Sequence, residues 1–537
     1  MAWPDLVILP IVLPLVTGSV LVLLERRHAG LVRWLALVSA LGGLVVAALL
    51  LAQAHGGVVQ AYLVGNWAAP FGIALALDRL SATMVLLTAV VASVTLLYAG
   101  GGDAQRGRYF HSLFQFQLMG LNGAFLTADL FNLFVFFEVL LIASYGLLLH
   151  GAGAARLRAS VHYVAFNLAG SALFLIAVSL LYGLTGTLNM ADLAQRVPQV
   201  AGDRALLVQS AALLLIVVFS VKAALFPLYF WLPATYGAAS APVAALFAIM
   251  TKVGIYAILR VTTLIFGAGA GAAAQVASPW LLALASATLV LGAVGALASR
   301  SLRQLLGNVV VVSAGTLLLA VALARADAVA AGLFYLVNST LVMAALFLLA
   351  DRVRGARGAA GDGFLAGGAP PAGHLLALCF LFFAVGAAGM PPLAGFMGKA
   401  MLLQAAGQTA WAGLLVATIL GSSLMVVVAF ARAGSSLFWR PAAAAEPGPA
   451  QHASGAADAP RASSRLHGAS LLLLLVLVAA CSVGAATLSR WTTATATQLF
   501  ERSGYIAAVL GAQPLPAAIN VRREMRERRA PNPGAKP

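Results

Sequence analysis

Four charged residues lie inside long apolar runs, where a charge is costly. Glu138 stands near the middle of the run Ala128–His150, and three later runs contain Lys222, Lys252 and Lys399. A charge at the centre of a membrane-spanning helix costs roughly 2.5–3.5 kcal/mol on an insertion scale, so a functional site is the default hypothesis. No other acid in the sequence has such a placement. The alternative is that a protonated or hydrogen-bonded Glu138 only ties two helices together.

Lysine is scarce in this chain, which makes its positions informative. Of the 32 lysines and arginines only four are lysines, and the one outside an apolar run is Lys536. Arginine does not release its proton at any working pH, whereas burial can bring the pKa of a lysine toward neutrality. The choice of lysine in the apolar runs therefore predicts proton transfer. For each lysine taken alone, snorkelling toward the membrane surface is the alternative.

Prolines beside two of the lysines predict broken helices. Pro227 follows Lys222 by five residues, and Pro391 and Pro392 precede Lys399. Irregular backbone at membrane depth is tolerated only where it is buried or lines a wet cavity. Broken helices at corresponding positions of two halves indicate inverted repeats with an ion site at the midplane. An ordinary kink is the alternative for either break alone.

The composition defines the class of protein. The chain has 537 residues, of which 62% are hydrophobic and 9% are charged, whereas a soluble globule carries about 25% charged residues. A soluble enzyme is therefore excluded. The net charge of +16 comes from arginines clustered between apolar runs, which is typical of cytoplasmic loops and not of nucleic-acid binding. Cys379 and Cys481 lack metal or cluster spacing, and without a nucleotide or flavin motif we expect no cofactor.

The hydrophobic runs predict an all-α polytopic membrane protein with about fourteen transmembrane helices, because about 20 residues cross a bilayer. The predicted spans are Leu6–Leu24, Leu31–Leu51, Leu80–Tyr98, Phe110–Thr127, Ala128–His150, Val161–Leu184, Leu206–Tyr229, Pro242–Val261, Trp280–Ala298, Leu305–Ala324, Ala328–Ala350, Leu375–Gln404, Ala412–Ala431 and Ala469–Leu488.

Arginine clusters predict the orientation of the chain. They follow the first, third, fifth, ninth and eleventh predicted spans, so those loops should face the cytoplasm and the N-terminus the outside. The arginine-rich tail conflicts with this rule, because fourteen spans would put it outside; we favour the orientation set by the early helices. Two segments, Pro441–Gly468 and Arg522–Pro537, have too little apolar content to fold alone.

Three stretches resemble the signature helices of a known family. They read DLFNLFVFFEVLLIASYGLL, SVKAALFPLYFWLPATYGAASAPVAALFAIMTKVGIYAILR and GMPPLAGFMGKAMLL. Such helices occur in the antiporter-like subunits of respiratory complex I and of multisubunit cation/proton antiporters. The spacing of the glutamate and the three lysines is most similar to that of the D-type subunits of the Mrp (Pha/Mnh) monovalent cation/proton antiporters.

The resemblance implies a fold and a set of site residues. The fold would have fourteen helices, two inverted five-helix repeats, broken helices 7 and 12 and a polar axis at mid-membrane. The axis residues would be Glu138, Lys222, Lys252 and Lys399. The implied domains are helices 1–3 in residues 1–108, a first repeat in 109–262, a second repeat in 263–434, a flexible loop in 435–468, and the last helix with a basic tail in 469–537.

The chain departs from the family pattern on the eleventh helix. Many relatives carry a histidine or lysine there that continues the axis, but the matching stretch, LFYLVNSTLVMAALFLLAD, offers Asn338, Ser339, Thr340 and Met343, so no titratable group links Lys252 to Lys399. A proton would then cross between Lys252 and Lys399 through water, or the pathway of the second half is weaker than in relatives. The side chains available to hold that water are Asn338, Ser339, Thr340 and Ser313.

The resemblance implies a secondary transporter subunit, not an enzyme, in the bacterial cell (inner) membrane. Its partners would be other membrane subunits, protons, Na+ or K+ and the lipid bilayer, with no nucleic acid. We predict that Glu138 and Lys222 form an ion pair whose making and breaking changes the proton affinity of Lys222, and that Lys252 passes the proton onward. The alternatives are a proton-pumping subunit of complex I or of a membrane-bound hydrogenase, and a non-transporting assembly scaffold.

Overall fold

The structure, a computed structural model, describes residues 3–25, 28–364, 369–370, 373–439 and 465–514. Its described residues form nineteen α-helices and one antiparallel pair of short strands, β1 (Gln60–Leu63) and β2 (Ala74–Leu77). The helices are α1 (Leu9–Leu24), α2 (Ala29–Ala54), α3 (Arg79–Ala99), α4 (Phe110–Leu126), α5 (Leu130–Leu149), α6 (Ala154–Thr185), α7 (Met190–Arg196), α8 (Arg204–Ala223), α9 (Trp231–Ala238), α10 (Ala241–Leu264), α11 (Ser278–Ala298), α12 (Leu302–Ala322), α13 (Ala326–Arg357), α14 (His374–Ala388), α15 (Ala394–Ala406), α16 (Ala412–Gly434), α17 (Arg465–Val483), α18 (Ala485–Phe500) and α19 (Ser503–Leu510).

The predicted all-α membrane fold is confirmed. Within the described ranges, 12 helices are long and apolar enough to cross a membrane. The 17-residue helix α4 and the α14–α15 pair are the two further segments that match the predicted spans. The core of the molecule is formed by α10, α12 and α13, which are buried along almost their whole length. These three helices therefore form the scaffold around which the outer helices pack.

The two predicted helix breaks are also present. Helix α8 ends at Ala223 and α9 begins at Trp231, with Pro227 between them, and α14 ends at Ala388 before α15 begins at Ala394. Each broken segment is the fourth of five consecutive spans, the first series running from α4 to α10 and the second from α11 to α16. Because five is odd, a second series of five spans would start on the opposite side of the membrane, as inverted repeats require.

Backbone groups released at the breaks find partners on other helices. The Phe226 N–H donates to Thr288 Oγ1 at 2.8 Å, and the Ala394 N–H donates to Ser482 Oγ at 2.9 Å. An unsatisfied backbone group inside a bilayer costs roughly several kcal/mol. This cost normally excludes irregular backbone from the membrane interior. The breaks are thus stabilised by hydroxyl groups of α11 and α17.

The C-terminal part differs from the prediction. The last span is α17, which begins at Arg465 and ends at Val483, and it is followed by α18 and α19, which we did not predict. The predicted loop is also shorter, because residues 435–439 continue α16 as a π-helical turn and residues 465–468 open α17. Likewise α10 extends to Leu264, past the predicted limit at 262. Residues 440–464 and the basic tail 522–537 lie outside the described residues.

The reason that α18 escaped prediction is its composition. It is rich in threonine and apolar on one side only, so a search for continuous apolar runs does not find it. Its buried side packs against α13 and α3, where the Trp491 Nε1–H donates to Thr83 Oγ1 at 2.9 Å. Hydrophobic burial of that one side, and not hydropathy of the whole segment, holds this helix in the fold.

Candidate functional site

Glu138, Ser171 and Lys222 come together where α5, α6 and α8 meet. The Ser171 hydroxyl donates to Glu138 Oε1. The buried Lys222 Nζ donates to Ser171 Oγ at 3.4 Å and to the Asn167 carbonyl at 3.3 Å. The direct ion pair that we predicted between Glu138 and Lys222 is not among the contacts of the described residues. The two charges are instead joined through the Ser171 hydroxyl.

The Ser171 hydroxyl has two alternative acceptors. It contacts Glu138, and it also lies 3.0 Å from the carbonyl of Asn167 on its own helix. A hydroxyl carries one proton to donate, so it bonds one of these acceptors at a time. The charged form of Glu138 is the stronger acceptor. The orientation of Ser171, and with it the contact to Lys222, therefore depends on the charge of Glu138.

Aromatic rings surround this junction. The Lys222 Nζ lies 5.9 Å from the centroid of the Phe137 ring. The Phe219 ring packs against the rings of Phe137 and Phe174 at centroid distances of 6.0 and 5.2 Å. Such an apolar surrounding screens charges less than water does, so a change of charge on Glu138 has a large effect at Lys222.

Lys252 lies in the centre of the molecule on α10. Its side chain is 0% exposed, and its Nζ has no hydrogen-bond partner within the described part of the chain. A buried ammonium without acceptors is unfavourable, and a bound water is the usual way to satisfy such a group. Close by, α10 approaches the end of α8 at Gly254, where a Cβ would lie 2.6 Å from the Ala223 nitrogen. Glycine is therefore required for the close packing of the helices that carry Lys222 and Lys252.

Lys399 occupies the second broken helix. Its buried Nζ donates to the Ala388 carbonyl at 2.8 Å and to Ser423 Oγ of α16 at 2.9 Å. Ala388 is the last residue of α14, whose final carbonyls carry the negative end of the helix dipole. Gly389 follows with a φ of 72°, and a Cβ there would lie 2.7 Å from Lys399 Cδ. The break thus supplies both an acceptor and the space for this lysine.

The polar residues predicted between Lys252 and Lys399 do not behave alike. Asn338 Nδ2 donates to the Gly386 carbonyl of α14 at 3.4 Å, and its Oδ1 has no partner within the described ranges. Ser339 and Thr340 donate to the Leu336 carbonyl of their own helix. Ser313 of α12 is a neighbour of the Tyr335 side chain of α13. Of the three residues on α13, Asn338 is the one whose described hydrogen bond reaches the second broken helix.

Sequence reasoning missed Asn167, Ser171 and Ser423, which all contact a buried lysine. A signal for the first two exists in the sequence. Asn167 and Ser171 are four residues apart in the apolar middle part of α6, so they share one face of that helix. A polar pair on one face of a membrane helix indicates a hydrogen-bonding neighbour, but it does not reveal that the neighbour is Lys222.

The fold and the buried charges define a polytopic membrane protein of the transporter class, with charged groups beside broken helices in each half. Within that class, the chain belongs to the NADH:quinone oxidoreductase/Mrp antiporter membrane family, whose model matches residues 127–425. The resemblance seen in the three signature stretches is therefore confirmed.

Individual relatives are similar over most of their length. The chain is 43% identical over 471 residues to the D component of a probable K+/H+ antiporter of Rhizobium meliloti (strain 1021), with 81% of this chain and 87% of that protein covered. It is 37% identical over 438 residues to the D component of a Na+/H+ antiporter of Bacillus subtilis (strain 168), with the same coverage of 81% and 87%. A chain of the Mrp complex from Dietzia sp. DQ12-45-1b superposes with a TM-score of 0.83 at 29% identity, covering 95% of this chain and 100% of that one.

Proposed function

We propose that this protein is the D-type subunit of a multisubunit monovalent cation/proton antiporter in the bacterial inner membrane. It exchanges Na+ or K+ for protons and is driven by the proton gradient, as a transporter subunit without enzymatic activity. The observation that carries the proposal is the contact of Glu138, Ser171 and Lys222 inside membrane-spanning helices. The names of the antiporter relatives support the same activity.

The proposed mechanism begins at Glu138. When Glu138 is charged, Ser171 donates to it and presents its oxygen lone pairs to Lys222, which favours the ammonium form. When Glu138 is protonated or neutralised by a cation, Ser171 turns to the Asn167 carbonyl and Lys222 loses that support. Lys222 then releases its proton toward Lys252, whose Nζ has no hydrogen-bond partner in the described part of the chain and whose helix packs against α8 at Gly254.

The position of Glu138 supports a neighbouring membrane subunit. Its side chain is partly exposed, and on the same side of α5 the apolar residues Val135 and Ile142 are 40% and 64% exposed. A carboxylate that faced lipid here would be costly. We infer that another membrane protein of the complex covers this side of α5, so that charge changes at Glu138 depend on that partner.

The activity is tested in everted membrane vesicles from a bacterial strain without antiporters of its own that expresses the complete gene cluster. Respiration sets up a proton gradient, and a pH-sensitive dye reports its dissipation when Na+ or K+ is added. We expect cation-dependent dissipation that disappears when this protein alone is deleted. Proton pumping that depends on NADH, without any response to cations, would identify a component of a redox-driven complex instead.

Removing the bridging hydroxyl should slow exchange. In Ser171→Ala we expect the rate to fall at least about tenfold, because a hydrogen bond to a charged group is worth roughly 1.5–3 kcal/mol and about 1.4 kcal/mol is a factor of ten. The same vesicle assay measures the initial rate. Ser179→Ala is the matched control, since Ser179 is exposed on the same helix. A wild-type rate in Ser171→Ala would mean that the two charges communicate without this hydroxyl.

The second half should contribute less than the first. Of the three adjacent polar residues on α13, Asn338 alone bonds the broken helix among the described contacts. The connection between Lys252 and Lys399 is therefore sparse, and we expect Lys399→Ala to reduce exchange less than Lys222→Ala does. Asn338→His should raise the contribution of Lys399, since histidine with a pKa near 6.5 accepts and releases protons at working pH.

A double-mutant cycle of Asn338→His with Lys399→Ala measures this coupling. Asn338→Gln is the control, because it keeps an amide at the same place but offers no titratable proton. Equal and complete loss in Lys222→Ala and Lys399→Ala, with no effect of Asn338→His, would show that the second half is already fully connected.

A further inference from the structure

A buried ion pair lies on the same helix as Lys252. Arg260 of α10 contacts Asp78 with 2.6 Å between Nη1 and Oδ2, and both side chains are buried. Asp78 is also the N-cap of α3, where its side chain accepts the Ser81 N–H at 2.8 Å. Two ions in such surroundings are expensive to bury, and well-packed apolar residues would often give equal stability. Stability alone therefore does not explain why this ion pair is buried here.

Hydrogen bonds extend from this pair toward Lys252. Arg260 Nη2 donates to the Tyr256 hydroxyl at 3.2 Å, and that hydroxyl donates to the Phe125 carbonyl at 2.6 Å. Lys252, Tyr256 and Arg260 follow one another at four-residue spacing, so they occupy successive turns on one side of α10. The separation of Lys252 and Arg260 along the helix is about 12 Å at 1.5 Å per residue.

The other end of the pair is closed by the C-terminal helices. The Tyr505 ring of α19 lies 5.1 Å from the Arg260 guanidinium. Tyr505 and Arg79 also line a cavity of about 760 Å³ between α3, α18, α19 and the turn at Gly57. Tyr505 thus contacts both the cavity and Arg260, while Asp78 and Arg260 themselves are buried and do not line the cavity.

The helices that pack against α10 carry other titratable groups. Of the titratable groups on the described helices that contact α10, α8 contributes Lys222, while α9, α13 and α19 contribute the neutral Tyr236, Tyr335 and Tyr505. On α7, Asp192 pairs with Arg196. The neighbour α4 carries His111, and α12 carries Arg303, which pairs with Asp362. The neighbour α18 carries the exposed Arg490. The remaining titratable residues of these helices stand within about two turns of a helix end, namely Arg79, Tyr98, Arg204, Asp327, Asp351, Arg352, Arg354 and Arg357.

Arg260 is the other cation of α10, two turns from Lys252 on the same side of the helix, and Asp78 neutralises it. We propose that Asp78 is a positioning residue for proton transfer at Lys252: by neutralising Arg260, it allows Lys252 to hold a proton in the working pH range. This rests on the proposed role of Lys252 as a proton carrier. A unit charge about 12 Å away, at an effective dielectric constant of about 20, changes a proton-binding constant about tenfold. Without Asp78 the bare Arg260 cation would weaken proton binding at Lys252 by that factor.

The test is the pH profile of exchange by the complete complex in vesicles. In Asp78→Asn, which retains an oxygen to cap α3, we expect the profile to move toward acid by about one pH unit. Adding Arg260→Gln to that variant should return the profile to that of the wild type, because no uncompensated charge remains. Arg260→Lys keeps the charge pair and should leave the profile unmoved.

Asp78→Ser, which also caps a helix without a charge, is the second variant, and immunoblots report the amount in the membrane. An unmoved profile in either neutral variant at normal protein levels would overturn the proposal, as would failure of all neutral variants to accumulate, which indicates a purely structural pair. Lys252→Ala separates the two ideas. Wild-type exchange in it refutes the proton-carrier role itself, whereas loss of exchange with an unmoved Asp78→Asn profile refutes only the role of Asp78.

Discussion

Lys222→Arg is expected to reduce exchange to below about a tenth of the wild-type rate, nearly as far as Lys222→Ala does. A tenfold lower rate corresponds to a loss of about 1.4 kcal/mol of transition-state stabilisation. An arginine at this position keeps the charge and can still donate to Asn167 and Ser171. It does not release its proton at any working pH. If the lysine carries protons, the conservative change is therefore as damaging as the truncation. Initial rates of cation-dependent gradient dissipation in the vesicles measure both variants.

Protein levels and a control decide how the Lys222 result is interpreted. Lys536→Arg makes the same chemical change outside the apolar runs and should leave exchange intact. Immunoblots of the membranes should show normal amounts of Lys222→Arg. Wild-type turnover in Lys222→Arg would leave Lys222 as a fixed positive charge that supports Glu138, and proton carriage would have to be assigned elsewhere.

The helices and their breaks were predictable because local chemistry determines them. The length of an apolar run sets a span, and Pro227, Pro391 and Pro392 mark the interruptions, since proline lacks the N–H that a helix interior needs. The four charges inside apolar runs were recognisable for a similar reason. A charge inside an apolar run is visible without any knowledge of its neighbours.

The contacts of those charges were not predictable, because they depend on packing. Ser171 is an ordinary small residue in a membrane helix, where a serine often bonds only its own backbone. It becomes a bridge between Glu138 and Lys222 only because α5, α6 and α8 meet at its position. The Arg260 and Asp78 pair joins residues 182 positions apart, and no local pattern connects them.

The predicted water-mediated group shows the same limit within one helix. Asn338, Ser339 and Thr340 are adjacent in sequence and equally polar, so the sequence offered no ground to separate them. Helical geometry directs them to different sides, and among the described hydrogen bonds only that of Asn338 reaches α14. The sequence therefore shows three polar residues on one turn of α13 but does not reveal which of them bonds α14.

Glu138→Gln is expected to abolish cation/proton exchange, again to below about a tenth of the wild-type rate, while the protein level stays normal. Glutamine has nearly the shape of glutamic acid, and its carbonyl oxygen can still accept the hydrogen bond from Ser171. The substitution therefore preserves any tie between α5 and α6 and removes only the charge and its titration. This separates the two interpretations of Glu138, since a residue that merely ties helices together would tolerate it.

Vesicle exchange rates, with immunoblots of the same membranes, measure the effect of Glu138→Gln. Glu501→Gln is the matched control, because Glu501 is exposed just after α18 and should tolerate the same change. Loss of exchange in Glu138→Gln together with loss in Ser171→Ala would place both on one path to Lys222. Full activity in Glu138→Gln would remove the carboxylate from the mechanism and leave Ser171 and Lys222 as parts of a structural contact.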